Sequence, residues 1–247
     1  MKYAIISDLH ANLEALEAVL IDAKPRAEAI ICLGDIVGYN ANPHECLQLV
    51  QEVCTLVVAG NHDQAACDLR PYDDFNEFAQ AAMEWTRKQL TAEEIHYLRR
   101  LPSTATFGKG WLAAHGSPRD TDEYLFQVEQ FEASFAYLQM YTPEARVCFI
   151  GHTHIPMIWE CTAEGVVSLT EVNALTMVLD PAKRYIVNPG SVGQPRYGDP
   201  AASYVILNEE AATVEFRFIV YNVSATQEKI YDAGLPTFLA ERLAAGR

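Results

Sequence analysis

The sequence predicts an α/β fold: a two-sheet β-sandwich flanked by helices, with a βαβαβ core in its first half. Three observations carry this. Short, almost continuously apolar runs recur up to residue 150, as strands buried on both faces do. Segments with helical apolar spacing separate them. Beyond His154 the pattern changes to short strands joined by closely spaced turns.

The elements follow in order. Tyr3–Ser7 is the first strand. Asn12–Ala23 follows as a helix, with Leu13, Leu16, Val19 and Leu20 on one face. Ala29–Leu33 is the second strand, Pro43–Val53 the second helix and Thr55–Ala59 the third strand. This alternation predicts a largely parallel sheet with right-handed crossovers. A helical stretch runs from about Phe75 to Arg100, with a restart at Thr91, where Glu94 completes a capping-box pattern. Trp111–Ala114 and Val147–Ile150 are further buried strands. Met157–Cys161, Val166–Thr170, Thr176–Leu179, Tyr185–Val187, Ser203–Leu207 and Val214–Tyr221 read as strands, with Asn208–Ala212 as a hairpin connection. The tail from about Ala225 to Ala245 is helical, interrupted near Gly234-Leu235-Pro236. No repeat, low-complexity tract or flexible linker divides the chain, so residues 1–247 are expected as a single domain. The first half would form one sheet and the later strands a second sheet packed on it.

Composition narrows the class. The 247 residues carry 18 Lys and Arg against 33 Asp and Glu, a net charge of −15. That balance opposes binding to long nucleic acid or an anionic membrane. No apolar run reaches the roughly 18 residues of a membrane span. Met1–Ser7 is too short an apolar run for a secretory signal. Six cysteines without a CxxC pair suggest reduced thiols, and the expected location is the cytoplasm.

Histidine placement is the strongest chemical clue. Five of the seven histidines fall just after predicted strands, in Asp8-Leu9-His10, Gly60-Asn61-His62-Asp63, His115-Gly116 and Gly151-His152-Thr153-His154. Gly34-Asp35 follows another strand in the same way. The carboxyl ends of strands in an open α/β sheet converge on one edge, where ligands bind. Residues two apart on extended backbone point the same way, so Asp8/His10 and His152/His154 can share an ion. Imidazole mixed with carboxylate and amide oxygen suits Mn²⁺, Fe, Zn²⁺ or Co²⁺ better than Mg²⁺. Each motif alone has a plainer reading: Asp-x-His and Gly-Asp are ordinary turn chemistry, and Asn61 or Asp63 could cap a helix. The whole ordered set, each member after a strand, is hard to explain by capping.

The ordered set resembles the calcineurin-like metallophosphoesterase superfamily, in particular its small bacterial and archaeal phosphodiesterase-like branch. The signature runs Asp-x-His, Gly-Asp, Gly-Asn-His-Asp/Glu, His-Gly, Gly-His-x-His, and the match spans residues 8 to 154. Gly34–Tyr39 and Asn188–Arg196 also look like that branch. The resemblance implies two divalent metal ions, of Mn²⁺, Fe or Zn²⁺, with Asp8, His10 and His154 on one, Asn61, His115 and His152 on the other, and Asp35 bridging. A metal-bridging hydroxide would attack phosphorus in line. His62 would face the substrate as general acid. Asp63 would orient His62 or simply cap a helix. Asn61 would also touch the substrate.

Two further residues are candidates for the phosphate. The Asn188–Gly193 turn would close a loop near the metal edge, with Arg196 reaching toward the substrate, and Arg119 lies just beyond His115-Gly116. Residues 117–146 begin and end near the site and are rich in aromatics, which suggests a helical cap whose inner face shapes the pocket. Most of these aromatics would be its packing face. The expected function is hydrolysis of a small or nucleotide-like phosphate ester, as a phosphodiesterase or phosphatase. A protein phosphatase or dinucleoside polyphosphate hydrolase would share the ligands. A metal-binding protein-interaction scaffold without turnover is the alternative from another class, against which His62 argues. An apolar surface on the second sheet would serve a homo-oligomer.

Overall fold

The computed structural model describes residues 1–170 and 176–247. Strand and helix alternate first: β1 (Lys2–Ile6), α1 (Leu13–Ala23), β2 (Ala29–Cys32), α2 (Pro43–Val53), β3 (Leu56–Val57) and α3 (Asn61–Ala66). Then come α4 (Glu77–Gln89), α5 (Ala92–Arg99), β4 (Thr104–Phe107), β5 (Trp111–Ala114), α6 (Val128–Tyr141) and β6 (Val147–Phe149). The later strands are β7 (Met157–Cys161), β8 (Val167–Thr170), β9 (Thr176–Val178), β10 (Arg184–Asn188), β11 (Ala202–Asn208) and β12 (Thr213–Ile219). Helices α7 (Val223–Asp232) and α8 (Thr237–Ala245) follow.

Two mixed six-stranded sheets form, in the orders β3-β2-β1-β11-β12-β9 and β4-β5-β6-β10-β7-β8. The division by halves of the chain expected from the sequence does not occur. β4, β5 and β6 lie in the second sheet, while β11 and β12 complete the first. An apolar run reports that a strand is covered, not which neighbour it pairs with. Here β1 pairs in parallel with β2 and antiparallel with β11. Its alternation then sends Tyr3 and Ile5 between the sheets and Ala4 and Ile6 against the helices.

The inter-sheet core joins Ile5, Ile31, Val205 and Phe216 to Val147, Phe149 and Val187 of the other sheet. Burying each such side chain contributes about 1.5–3 kcal/mol. Helices cover both outer faces. Leu16 and Val19 of α1 and Leu47 and Val50 of α2 pack on the first sheet. The Thr91 capping box is present and starts α5. On the second sheet, Phe131, Phe135 and Leu138 of α6 pack against Leu112, Cys148 and Ile186. Within residues 117–146, the helix therefore covers the sheet, and the loop before it is the part that reaches the strand ends. Helices α7 and α8 pack Ile230, Leu239 and Leu243 against α4 and Tyr39. Among the described residues no helix is long and apolar enough to cross a membrane, and all six cysteines are free.

Candidate metal centre

Asp8 and His10 follow β1, Asp35 follows β2, and Asn61 and His62 open α3 just beyond β3; His115 follows β5, and His152 and His154 follow β6. The first group belongs to one sheet and the second to the other, so both sheets deliver side chains to one edge. All eight residues are buried. The turns off the strands are tight: Asp8, His10, Asp35, His152 and His154 have φ of 54°, 46°, 53°, 67° and 60°. Left-handed backbone costs an L-residue on the order of 1–2 kcal/mol. Hydrogen bonds between loops hold it: Asp8 N–H to the Gly34 carbonyl at 3.0 Å, His10 N–H to the Asp35 carbonyl at 2.8 Å, and the Ser191 hydroxyl to the Asp8 carbonyl at 2.8 Å.

The side chains form overlapping groups. In Asp8/His10/His154, in Asp35/His115/His152 and in His10/Asp35/His62, the possible ligand atoms lie within 4.8 Å of one another. Asp35 Oδ2 is 3.5 Å from His10 Nε2 and 3.3 Å from His115 Nε2, so one carboxylate faces both sides of the centre. Asn61 Oδ1 lies 3.1 Å from His115 Nε2. Asp8 Oδ1 lies 3.4 Å from His154 Nε2.

The histidine tautomers test whether these residues fit a cation. Nδ1 of His10, His115 and His154 faces the carbonyls of Val37 (3.2 Å), Leu33 (2.8 Å) and Gln194 (2.6 Å). Only an N–H can face a carbonyl oxygen, so these contacts put a proton on Nδ1 of all three rings; in His10 and His154, which burial keeps neutral, Nε2 is left bare. His10 and His154 then turn two lone pairs toward each other at 3.1 Å. That contact is repulsive unless a cation accepts both. His152 is arranged the other way: Nε2–H donates to the Asp122 carbonyl at 3.2 Å, leaving Nδ1 for the centre. The donor set thus fits divalent cations that take nitrogen and oxygen together.

Charge agrees with geometry. Burial, then repulsion from Asp35, pushes Asp8 up to about 7. Burial works against the Asp35 carboxylate too, but the neighbouring His115 and His62 outweigh it and hold Asp35 well below the usual range. Burial disfavours the charge on His115, yet Asp35 and Asp8 lift it to about 10. Burial holds His10, His152 and His154 well below the ordinary histidine value, hence neutral and able to coordinate. The edge attracts positive charge and offers lone pairs to it.

His62 sits beside this centre, not within its row of carbonyl-anchored rings. Its ring centroid is 4.6 Å from Tyr39, 4.5 Å from Phe75 and 4.9 Å from His10. It lines a cavity of about 310 Å³ with Tyr39, Asn61, Arg70, Phe75, Tyr124 and His152 among its neighbours. Nδ1 is buried without a partner, so Nε2 is the nitrogen open to the cavity. The His62 N–H donates to Asp35 Oδ1 at 2.9 Å. Gly38 makes room for the ring: at its φ of +93°, a Cβ would lie 2.5 Å from His62 Nδ1.

Of the two readings of Asp63 the structure has the cap, and Arg119 lies away from the cavity. Asp63 does not touch the His62 ring among the described residues. Its carboxylate accepts from Ile36 N–H (2.9 Å), Val37 N–H (3.3 Å) and Gly60 N–H (3.1 Å), which caps α3 and pins the loop carrying Asp35. Arg119 is exposed, pairs with Glu123 and is not part of the cavity wall. The cation in the wall is Arg70, which sequence spacing did not single out. It pairs with Asp74 at 2.9 Å and Asp122 at 3.3 Å, tying the loop after α3 to the loop after β5. The Arg196 backbone N–H donates to the His154 carbonyl at 3.3 Å, which sets this residue beside the centre. Tyr39 was also missed as a wall residue, whereas Tyr124 comes from the aromatic-rich segment 117–146 and stacks on His152 at 3.7 Å. A lone aromatic in a loop carries no periodic signal.

Known proteins resemble this chain in sequence and fold. The calcineurin-like phosphoesterase superfamily domain matches residues 1–212. The protein MJ0912 of Methanocaldococcus jannaschii is 40% identical over 99% of this chain and 98% of its own. The crystal structure of a metallophosphoesterase from Sphaerobacter thermophilus is 40% identical, with TM-score 0.84 and 100% of both chains covered. Protein PH1004 of Pyrococcus horikoshii shares the fold at TM-score 0.80 and 20% identity, covering 100% of this chain and 98% of that one. The chain therefore belongs to the calcineurin-like phosphoesterase superfamily, enzymes that hydrolyse phosphate esters.

Proposed function

We propose that the protein is a dinuclear-metal phosphodiesterase or phosphatase acting on a small or nucleotide-like phosphate ester. The observation that carries this most directly is the pair of opposed lone pairs on His10 and His154, beside a carboxylate, Asp35, that faces both halves of the centre. Asp8, His10 and His154 would hold one ion and Asn61, His115 and His152 the other, with Asp35 shared. Mn²⁺, Fe and Zn²⁺ all suit these donors. Bound ions would supply Lewis acidity and a water of lowered pKa.

The chain's own residues do the rest. Val37, Leu33 and Gln194 carbonyls fix the orientation of three rings. His62 Nε2 is the proton donor to the departing oxygen. Burial brings His62 down to about 4 in the free protein. An arriving anionic phosphate favours its charged form. Arg70, Phe75 and Tyr124 border the space for the leaving group.

The test is hydrolysis of bis-p-nitrophenyl phosphate and p-nitrophenyl phosphate by metal-stripped protein, with and without Mn²⁺. Metal-restored turnover is expected. Preference for the diester supports a phosphodiesterase, and preference for the monoester a phosphatase. Bound metal with no turnover on either would overturn this reading in favour of a scaffold or a narrowly specific hydrolase.

A further inference from the structure

We propose that Arg70 is a positioning residue for the metal centre: it latches the loop that carries Asp122, and the Asp122 carbonyl holds the His152 ring. The proposal deepens the dinuclear reading and rests on it for the word metal. It gives a residue of the cavity wall, which is not itself a candidate ligand, a part in keeping a ligand in place.

The four ring anchors of the centre are not alike. His10, His115 and His154 turn Nδ1 to the carbonyls of Val37, Leu33 and Gln194. Those three partners are fully buried. His152 turns Nε2 instead, to the Asp122 carbonyl at 3.2 Å. Asp122 is only half-buried and lies between β5 and α6, outside any strand or helix. Its own N–H donates to Asp120 Oδ1 at 2.9 Å, a bond within the same exposed loop. Tyr124 of that loop stacks on the His152 ring at 3.7 Å. The loop thus grips His152 at one nitrogen and on one face, and the ring is held only as firmly as the loop.

Arg70 holds the loop from outside. Its Nε lies 3.3 Å from Asp122 Oδ2, and its Nη2 lies 2.9 Å from Asp74 Oδ2. Its guanidinium also lies 5.1 Å from the centroid of Phe75, which packs on His62 at 4.5 Å. The Arg70 side chain is 14% exposed, so these contacts are shielded from most of the solvent. His62, Phe75, Arg70, Asp122 and His152 therefore touch in succession, and all five line the cavity. Among the described residues, no other hydrogen bond or salt bridge joins residues 67–76 to residues 116–126.

The chemistry of the ring gives the latch its consequence. With Nε2–H held by a carbonyl, His152 presents a bare Nδ1 to the centre. Without the anchor the two tautomers become alternatives, and the one with Nδ1–H cannot bind a cation. Loss of Arg70 would therefore weaken the ion on the Asn61, His115 and His152 side and spare the other. At saturating metal the site refills, so the chemical step itself would change little.

Two readouts on the full chain test this. Long-range ¹H–¹⁵N spectra of metal-stripped protein report which ring nitrogen carries the proton. The wild type is expected to show His152 protonated at Nε2, and Arg70→Ala to lose that preference while His10 and His154 stay protonated at Nδ1. Calorimetric titration with Mn²⁺ is expected to give two equivalents in the wild type. Arg70→Ala should weaken one of them by about tenfold, the usual scale for removing such support, and leave the other unchanged. Asp122→Asn keeps the carbonyl and removes the charge that Arg70 holds, so it should shift both readouts the same way by less. It also keeps the test readable if Arg70→Ala misfolds. Arg119→Ala, in the same loop but paired with Glu123, should change neither. An unchanged His152 tautomer with both Mn²⁺ affinities unchanged in Arg70→Ala and Asp122→Asn overturns the latch. Equal weakening of both equivalents overturns the route through His152. Fewer than two Mn²⁺ on the wild type would count against the dinuclear reading alone, because the tautomer readout needs no metal.

Discussion

His10 and His154, 144 residues apart in the chain, meet with their Nε2 atoms 3.1 Å apart at the junction of the two sheets. His10 belongs to a loop of the first sheet and His154 to a loop of the second. A cation that accepts both lone pairs therefore joins the sheets as well as serving chemistry. Saturating Mn²⁺ is expected to raise the melting temperature of metal-stripped protein. At about 100 times Kd, the gain is about 2.7 kcal/mol, or about 5–10 °C for a chain of this size. Calorimetry checks it, and an unchanged midpoint with metal bound would argue against the cross-link.

Asp35 faces both halves of the centre and also accepts the His62 N–H. Asp35→Ala is expected to lose both metals and nearly all activity. Metal analysis after gel filtration reads this directly. Full metal content with full rate would show that the bridge is assigned wrongly.

His62 opens on the cavity and has no side-chain hydrogen bond to the ligand set. His62→Ala is expected to retain metal and to lower kcat by about 10²–10⁴, the usual worth of a positioned proton donor. Loss of metal together with rate would instead make His62 a ligand.

Gly38 tests the same ring from behind. A Cβ there would lie 2.5 Å from His62 Nδ1, on backbone with φ of +93°. Gly38→Ala should displace the ring and reduce turnover while metal content stays close to wild type. A rate equal to wild type would mean that the placement of His62 does not matter for turnover.

Arg70 and Arg119 make a contrast. Arg70 borders the cavity and reaches Asp122 at 3.3 Å, so Arg70→Ala should raise KM more than it lowers kcat. Arg119 is exposed and paired with Glu123, a pair worth about 0–1 kcal/mol. Steady-state kinetics of Arg119→Ala should match the wild type. A large KM effect at Arg119 and none at Arg70 would reverse the assignment.

The residues of the candidate centre were legible because each sits at a strand end, next to a glycine or one residue from another candidate ligand. Spacing and residue type together encode that geometry. Strand partners were not legible: Tyr3–Ser7 and Trp111–Ala114 have the same apolar character, yet one centres the first sheet and the other lies near an edge of the second. Asp63 was ambiguous for a physical reason, since an N-cap box and a histidine partner both call for a carboxylate at that position. Arg70 and Tyr39 were invisible as a pair. They come from two separate loops, and only tertiary packing brings them to one cavity.

The left-handed turns at Asp8, His10, Asp35, His152 and His154 bear on what kind of protein this is. At about 1–2 kcal/mol each, five of them add up to a sizeable share of the roughly 5–15 kcal/mol that keeps a domain folded. A chain using this fold only as a platform for partners would gain stability by relaxing them, for instance with glycine at each turn. All five are aspartates or histidines, and Ala11 and Tyr39 in the same loops share their backbone region. The sheet edge thus carries strained backbone that something bound there would help to hold.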